Sequence, residues 1–154
     1  MGSRWDFLYD LKPVPLAEHV VEEASKLVAR ELSAWPLSIT DWANPQDEAR
    51  FRPLCEPGAA RPDDRVYQAA FRLARLELMR EFEQVDDFMR NERWREFTGP
   101  GLGVDQMLLV SRYLTEQMLS LSEATEGRVK RPQLVEVLLR TERRLRAPSL
   151  VTPA

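Results

Sequence analysis

The placement of proline divides this chain of 154 residues into segments that can and cannot be helical. Five prolines fall between Trp35 and Pro62, and a regular helix across that stretch would be broken repeatedly. From Asp63 to Thr98, by contrast, 36 residues pass without a proline or a glycine. The sequence therefore predicts an irregular proline-rich arm followed by one long unbroken helix, with Asp63 or Asp64 as its N-cap.

Apolar periodicity predicts the remaining helices. Apolar residues recur at three- and four-residue steps between Leu16 and Leu32, and again between about Val104 and Ala124. Gly127 ends the second of these stretches, and Pro132 marks the start of a last helix. The predicted fold is all-α: an elongated helical bundle or coiled coil with one long central helix.

This pattern gives a coarse division of the chain. Residues 1–62 hold the N-terminal helix and an extended arm that contains proline and tryptophan, and residues 63–147 form the bundle or coiled-coil region. Residues 148–154 form a flexible tail. Without a signal-peptide pattern or a long apolar run, we expect a cytosolic or nuclear protein that does not span a membrane.

The charge balance and the counts of cysteine and histidine limit the chemistry of the chain. Its 22 basic and 25 acidic side chains give a net charge of -3, which excludes a polybasic nucleic-acid-binding protein. Cys55 is the one cysteine, so no disulfide framework or multi-thiolate zinc site can form. His19 is the one histidine, and it lacks the Glu-x-x-His pairing of a carboxylate metal centre. We expect no catalytic residue, no cofactor and no metal site, and therefore not an enzyme.

The apolar and aromatic surface of the chain is larger than three or four helices of this size enclose easily. The apolar surface that the chain's own helices leave uncovered would be buried against helices of a partner. We therefore expect a protein-protein interface formed by the apolar faces of the helices. The predicted interface consists of the large side chains on those faces and on the arm: Trp35, Trp42, Tyr67, Phe71, Leu78, Met79, Val85, Phe88, Met107, Leu114, Met118 and Leu121.

The C-terminal helix carries a basic surface. Between Arg128 and Ala147 there are seven basic residues against two acidic ones. Such a surface can contact phosphates or an acidic partner, or can simply complement the C-terminal end of the helix dipole. No aromatic residue is interleaved to stack on single-stranded bases. The residues predicted to contact phosphates or an acidic partner are Arg140, Arg143, Arg144 and Arg146.

Two stretches of the chain resemble a known family. The first matches the family's N-terminal pattern at Asp6, Leu8, Val20, Leu27, Val28 and Glu31. The second matches an Arg-x-x-Asn-Leu-Glu-Leu-Met motif and a later Asn, with Arg75 in place of the first Asn, at Arg72, Leu76, Glu77, Leu78, Met79 and Asn91. In these stretches the chain resembles the breast-carcinoma-amplified-sequence family, the small helical subunit of the spliceosomal Nineteen Complex.

The resemblance implies a function without catalysis. Members of that family bind, through helical bundles and coiled coils, to the ubiquitin-ligase scaffold of the Nineteen Complex and to its Myb-like splicing partner. They act in pre-mRNA splicing, so the resemblance also implies a nuclear location. On this interpretation the chain is a scaffold subunit, and it should aggregate or self-associate when it is expressed alone.

Two alternatives remain open from the residues. The first is a self-contained helical regulator or adaptor that folds alone and docks transiently on a protein partner. The second is an RNA-contacting module that uses the basic C-terminal helix, and steep salt dependence of RNA binding would identify it.

Overall fold

The computed structural model describes residues 5–10, 16–37, 39, 45–79 and 103–146, with residues 9 and 10 described by their backbone alone. Two short 3-10 helices, at Asp6–Asp10 and Arg52–Cys55, accompany the α-helices. Throughout these ranges the secondary structure is helical, without a strand, so the predicted all-α class is confirmed. The α-helices are α1 (Leu16–Ser33), α2 (Pro45–Phe51), α3 (Asp64–Leu78), α4 (Val104–Ala124) and α5 (Arg131–Arg146).

Helix α4 has the bounds that the sequence predicts, because both of its ends are set locally. Gly103 precedes it with a φ of +73°, a left-handed conformation that favours glycine. A Cβ atom on Gly103 would lie 2.5 Å from Val66 Cγ2, so a side chain would also clash. At the other end, Gly127 has a φ of +77° and donates its N–H to the Ser122 carbonyl oxygen, which closes the helix.

The long central helix is predicted correctly at its start and wrongly at its end. Asp63 caps α3, since its Oδ1 accepts the N–H of Val66 at 3.0 Å. The helix stops at Leu78 instead of running unbroken to Thr98. The Leu78 carbonyl oxygen, which a longer helix would bond within itself, accepts a hydrogen bond from Arg131 Nη1 at 2.7 Å. A contact from α5 therefore satisfies a carbonyl oxygen at the end of α3.

The proline-rich arm contains regular helical structure, whereas the sequence predicts an irregular, extended segment. Helix α2 occupies seven of its residues and begins with Pro45, where a missing N–H costs nothing. Phe51, at the end of α2, is buried in the core. Pairs of Asp47 with Arg112 and of Arg50 with Asp105 join α2 to α4. The arm thus packs on the bundle through a short helix that the prediction of an extended segment missed.

The directions of α3 and α4 set the topology of the bundle. Gly103, at the start of α4, lies beside Val66 at the start of α3, whereas Leu119 and Leu78 line one cleft near the other ends. The two helices therefore run in the same direction. Residues 80–102 lie outside the described part of the chain.

Helices α1 and α5 run together in the opposite direction. Arg140 of α5 contacts Glu18 of α1, and Arg144 contacts Ser25, so α1 and α5 are parallel to each other. Leu134 near the start of α5 lies with Leu78 at the end of α3, and Arg146 at the end of α5 lies with Asp64 at the start of α3, so α5 is antiparallel to α3 and therefore to α4. Helix α5 packs on both α1 and α3. No helix in the described ranges is both long and apolar enough to cross a bilayer.

The predicted partner interface requires a correction, because most of it lies in the chain's own core. The side chains on the predicted apolar faces of α3 and α4 are at most 7 % exposed and pack against other helices of the same chain. A regular apolar stripe identifies a buried face but not the identity of what covers it. The residues that the structure moves from the interface to the core are Tyr67, Phe71, Leu78, Met107, Leu114, Met118 and Leu121.

The remaining members of that interface have different positions. Met79 is 49 % exposed at the end of α3. Trp35 is partly buried and packs against the core, so it belongs to the arm's own packing. Trp42, Val85 and Phe88 lie outside the described residues.

Candidate functional site

The predicted basic surface of α5 is partly occupied by contacts within the chain. Arg140 Nη1 lies 2.9 Å from an oxygen of Glu18 and 3.0 Å from one of Glu22, and its Nε binds Glu136 of its own helix. Arg144 also pairs with Glu22, and its Nε donates to Ser25 Oγ at 3.2 Å. The acidic partner predicted for these two arginines is thus helix α1 of the same chain.

The other two arginines of that surface remain largely in solvent. The Arg143 side chain is 72 % exposed, and its pair with Glu136 is long at 3.7 Å. Arg146 is 54 % exposed and pairs with Glu142, which also binds Arg75 of α3. The basic surface available to a phosphate is therefore smaller than the sequence predicts.

The titratable residues singled out by the sequence are not assembled into a reactive centre in the described ranges. Burial raises the pKa of the Cys55 thiol above its ordinary value, which disfavours the nucleophilic thiolate. His19 is exposed on α1. Within those ranges, the His, Cys, Asp and Glu side chains form no group of three or more that could hold a metal ion.

A cleft of about 250 Å³ opens where three helices meet, at the end of α3. We call it the Leu119 cleft. Most of its lining surface is apolar, because leucines from α3, α4 and α5 converge there. A concave apolar surface with a few polar groups is typical of a binding site. The lining residues are Glu77, Leu78, Thr115, Leu119, Ser122, Arg131 and Leu134.

The large apolar side chains that are exposed in the described residues lie in the Leu119 cleft or next to a residue of its lining. Leu119 is 54 % exposed and lines the cleft, and Met79, which is 49 % exposed, directly follows the lining residue Leu78. Single exposed leucines are ordinary on protein surfaces, but an exposed pair beside a leucine-lined cleft indicates an interaction surface.

Glu77, Thr115, Ser122 and Arg131 supply the polar groups of the cleft lining, and two of these groups are distinctive. Arg131 directs Nη1 to the Leu78 carbonyl oxygen, so this guanidinium supports the wall of the cleft. Thr115 Oγ1 is inaccessible to solvent and has no hydrogen-bond partner. Burying an unpaired hydroxyl costs free energy, and such exceptions are rare enough in folded proteins to mark a position of interest.

Most of this site lies outside the interface predicted from the sequence. That interface includes Leu78 and Met79 but not Leu119, Leu134, Thr115 or Arg131. Leu119 directly follows Met118 and lies off the buried stripe of α4. An apolar residue on the otherwise polar face of an amphipathic helix was the signal available in the sequence.

A second cavity, of about 180 Å³, lies between the N-terminal segment and the end of α4. Its lining includes Trp5, Leu16, Thr125 and Arg128. The Trp5 indole is 2 % exposed, and its N–H donates to Ser120 Oγ at 3.1 Å. Because that donor is already satisfied and the ring is packed into the core, this cavity fits a structural contact of the N-terminal segment with α4.

Comparison with known proteins indicates no family and no function for this chain. The chain matches no protein-family model, no curated protein and no solved structure. The function must therefore be argued from the residues themselves.

Replacing Thr115 with valine should stabilise the protein. Valine has nearly the shape of threonine and removes the unpartnered hydroxyl, so we expect the free energy of unfolding to rise by about 1 kcal/mol. Urea titration followed by circular dichroism measures this change. A decrease would contradict the assignment of Thr115 Oγ1 as unpaired.

The matched control is Thr125→Val. Thr125 Oγ1 lies 3.0 Å from the Leu121 carbonyl oxygen and accepts the N–H of Val129 at 3.4 Å. Valine there leaves a buried N–H without its acceptor, so we expect a loss of about 1–2 kcal/mol. The two substitutions should therefore act in opposite directions.

Replacing Arg140 with glutamine should weaken the fold in a pH-dependent way. The hydrogen bond and charge of Arg140 hold the pKa of Glu18 below its ordinary value. A carboxylate with a lowered pKa stabilises the folded state above its unfolded pKa, and that contribution is lost as pH falls through the folded pKa. We expect Arg140→Gln to lower the melting temperature at pH 7, and this difference to shrink toward pH 3.

Arg143→Gln is the control for that measurement, because the more exposed Arg143 makes only a long pair with Glu136. Its melting temperature should stay near that of the wild type. A deficit for Arg140→Gln that is equally large at pH 7 and at pH 3 would exclude the carboxylates of α1 as its cause.

Proposed function

We propose that this chain is a non-enzymatic helical adaptor that folds alone and binds a protein partner at the Leu119 cleft. One observation carries the proposal: in the described residues the apolar faces of α3 and α4 are covered by other helices of the chain, whereas Leu119 in the leucine-lined cleft and Met79 next to Leu78 are exposed. A buried core with a concave apolar cleft at its edge favours docking on a partner over co-folding with it.

Packing of the described helices supports folding without a partner. Helix α3 packs extensively on α4, and α1 packs extensively on α5. Large side chains from the arm and from all four longer helices are fully buried, among them Phe51, Phe71 and Leu138. Partners of an obligate assembly usually expose a large apolar face when separated, whereas the large apolar side chains exposed in the described residues are Met79 and Leu119.

A scaffold subunit of the Nineteen Complex, acting in pre-mRNA splicing in the nucleus, is the second candidate. Its support is the position of the resembling stretch. Glu77 and Leu78 of that stretch line the Leu119 cleft, and Met79 is exposed directly after them. On this hypothesis the cleft binds a helix of the ubiquitin-ligase scaffold or of the Myb-like splicing factor.

Direct RNA contact has less support than either protein-binding function. Two of the four arginines predicted for it, Arg140 and Arg144, bind the carboxylates of α1. Exposed Arg143 and Arg146 would have to supply the contact.

The isolated chain should behave as a cooperative monomer. We expect a sedimentation mass near 17.9 kDa and a single thermal transition with coincident far- and near-ultraviolet signals, because the described core is internally filled. Aggregation or a concentration-dependent oligomer would instead favour the obligate scaffold subunit and contradict the adaptor.

Crosslinking from the cleft should identify the partner. A photoreactive benzoylphenylalanine placed at Ser122, on the cleft wall, should capture a discrete protein in the native source, to be identified by mass spectrometry. Leu119→Gln in the same chain should reduce the captured amount at least tenfold, because it removes the exposed apolar contact. Recovery of splicing proteins would support the Nineteen Complex assignment, and their absence would contradict it.

The control probe is the same photoreactive residue at Glu56. This residue is exposed in the turn before α3, at the end of the bundle away from the cleft. It should not capture the partner. Equal capture from both positions, or capture that Leu119→Gln leaves unchanged, would contradict binding at the cleft.

A further inference from the structure

The charges beside the Leu119 cleft are arranged along helix α4. Glu116 and Glu123 are seven residues apart, one turn before and one turn after Leu119. Residues three and four apart on a helix are surface neighbours, so both carboxylates flank Leu119 on its solvent side. Glu77 adds a third carboxylate from α3, within the lining itself.

Two of these carboxylates are available for pairing. The side chains of Glu77 and Glu123 make no salt bridge or hydrogen bond within the described residues. Two cations also lie near the cleft, at the α5 side. Arg131 is bound to the Leu78 carbonyl oxygen, and Lys130 is exposed in the turn before it. Acidic groups therefore border the cleft on α3 and α4, and basic groups border it on the opposite wall.

Acidic residues that flank an apolar residue at heptad spacing favour a partner helix with basic residues at the facing positions. In helix pairs, an apolar seam buries against its counterpart, and charged residues beside the seam select a partner of opposite charge. The α4 wall of the cleft presents such an arrangement, with Leu119 as the apolar element and glutamates on its outer side. Its complement is a helix with an apolar anchor and with lysine or arginine next to that anchor.

We infer that the Leu119 cleft binds an amphipathic helix of a partner protein, in which basic residues flank the apolar anchor. The anchor fills the cleft between Leu78, Leu119 and Leu134, and the basic residues pair with Glu77 and Glu123. This inference rests on the proposed adaptor function and adds the chemistry of the partner.

Designed peptides test this charge preference on the full chain. Three fluorescent 18-residue amphipathic helices share one leucine face and carry lysine, glutamine or glutamate beside it. We expect the lysine peptide to bind about tenfold more tightly than the glutamate peptide in fluorescence anisotropy at low salt. Raising the ionic strength should narrow this difference, because exposed pairs are screened.

Variants of the chain locate the binding. Leu119→Gln should abolish binding of all three peptides, and the double variant Glu77→Gln, Glu123→Gln should remove most of the preference for lysine. Glu56→Gln, which removes an exposed carboxylate at the other end of the bundle, should leave both results unchanged. Circular dichroism verifies that each variant remains helical.

The outcomes separate the inference from the function on which it rests. If the three peptides bind equally, or if none binds while the Ser122 probe still captures a partner, the basic-helix inference is overturned and the adaptor stands. If neither the peptides nor the Ser122 probe finds a partner, both are overturned. A dimer that Leu119→Gln dissociates would assign the cleft to a second copy of the chain and would also overturn the inference.

Discussion

Helix α5 is the element on which the arrangement of the bundle depends, because it packs on both α1 and α3. Its contacts with α1 join segments about 120 residues apart in sequence, and they combine apolar burial with the pairing of Arg140 and Arg144 to acidic residues. Exposed ion pairs add little free energy individually, so apolar burial supplies most of the stability. The charges specify which helix α5 lies beside, and in which direction, since like-charged faces would repel.

The same helix creates the candidate site. By donating to the Leu78 carbonyl oxygen, Arg131 at the start of α5 binds the C-terminal end of α3. Helix α4 runs parallel to α3, so its Leu119 reaches the level at which α3 stops. Leu134 of α5 closes the other side. The Leu119 cleft is thus a consequence of three helix positions: the end of α3, the late part of α4 and the first turns of α5.

Sequence reasoning predicted those parts of the fold that local chemistry determines. The bounds of α4 follow from Gly103, Gly127 and an apolar stripe between them, and the start of α3 follows from Asp63. The end of α3 was not predicted, because neither proline nor glycine marks it and because Arg131, which binds its Leu78 carbonyl oxygen, is 53 residues away in sequence. Helix α2 was not predicted because its seven residues form only about two turns. So short a segment, flanked by prolines, shows no periodic spacing of apolar residues.

The candidate site was harder to predict for a more general reason. A stripe of apolar residues indicates that one face of a helix is buried. The helices that cover this face can belong to the same chain or to a partner, and the stripe does not distinguish the two cases. The interface predicted on Phe71 and Met118 therefore described the core. What distinguishes a docking surface is an apolar residue that the internal packing leaves uncovered, as Leu119 is beside the fully buried Met118. Finding it requires the positions of α3 and α5, because they decide which side of α4 those two helices leave uncovered.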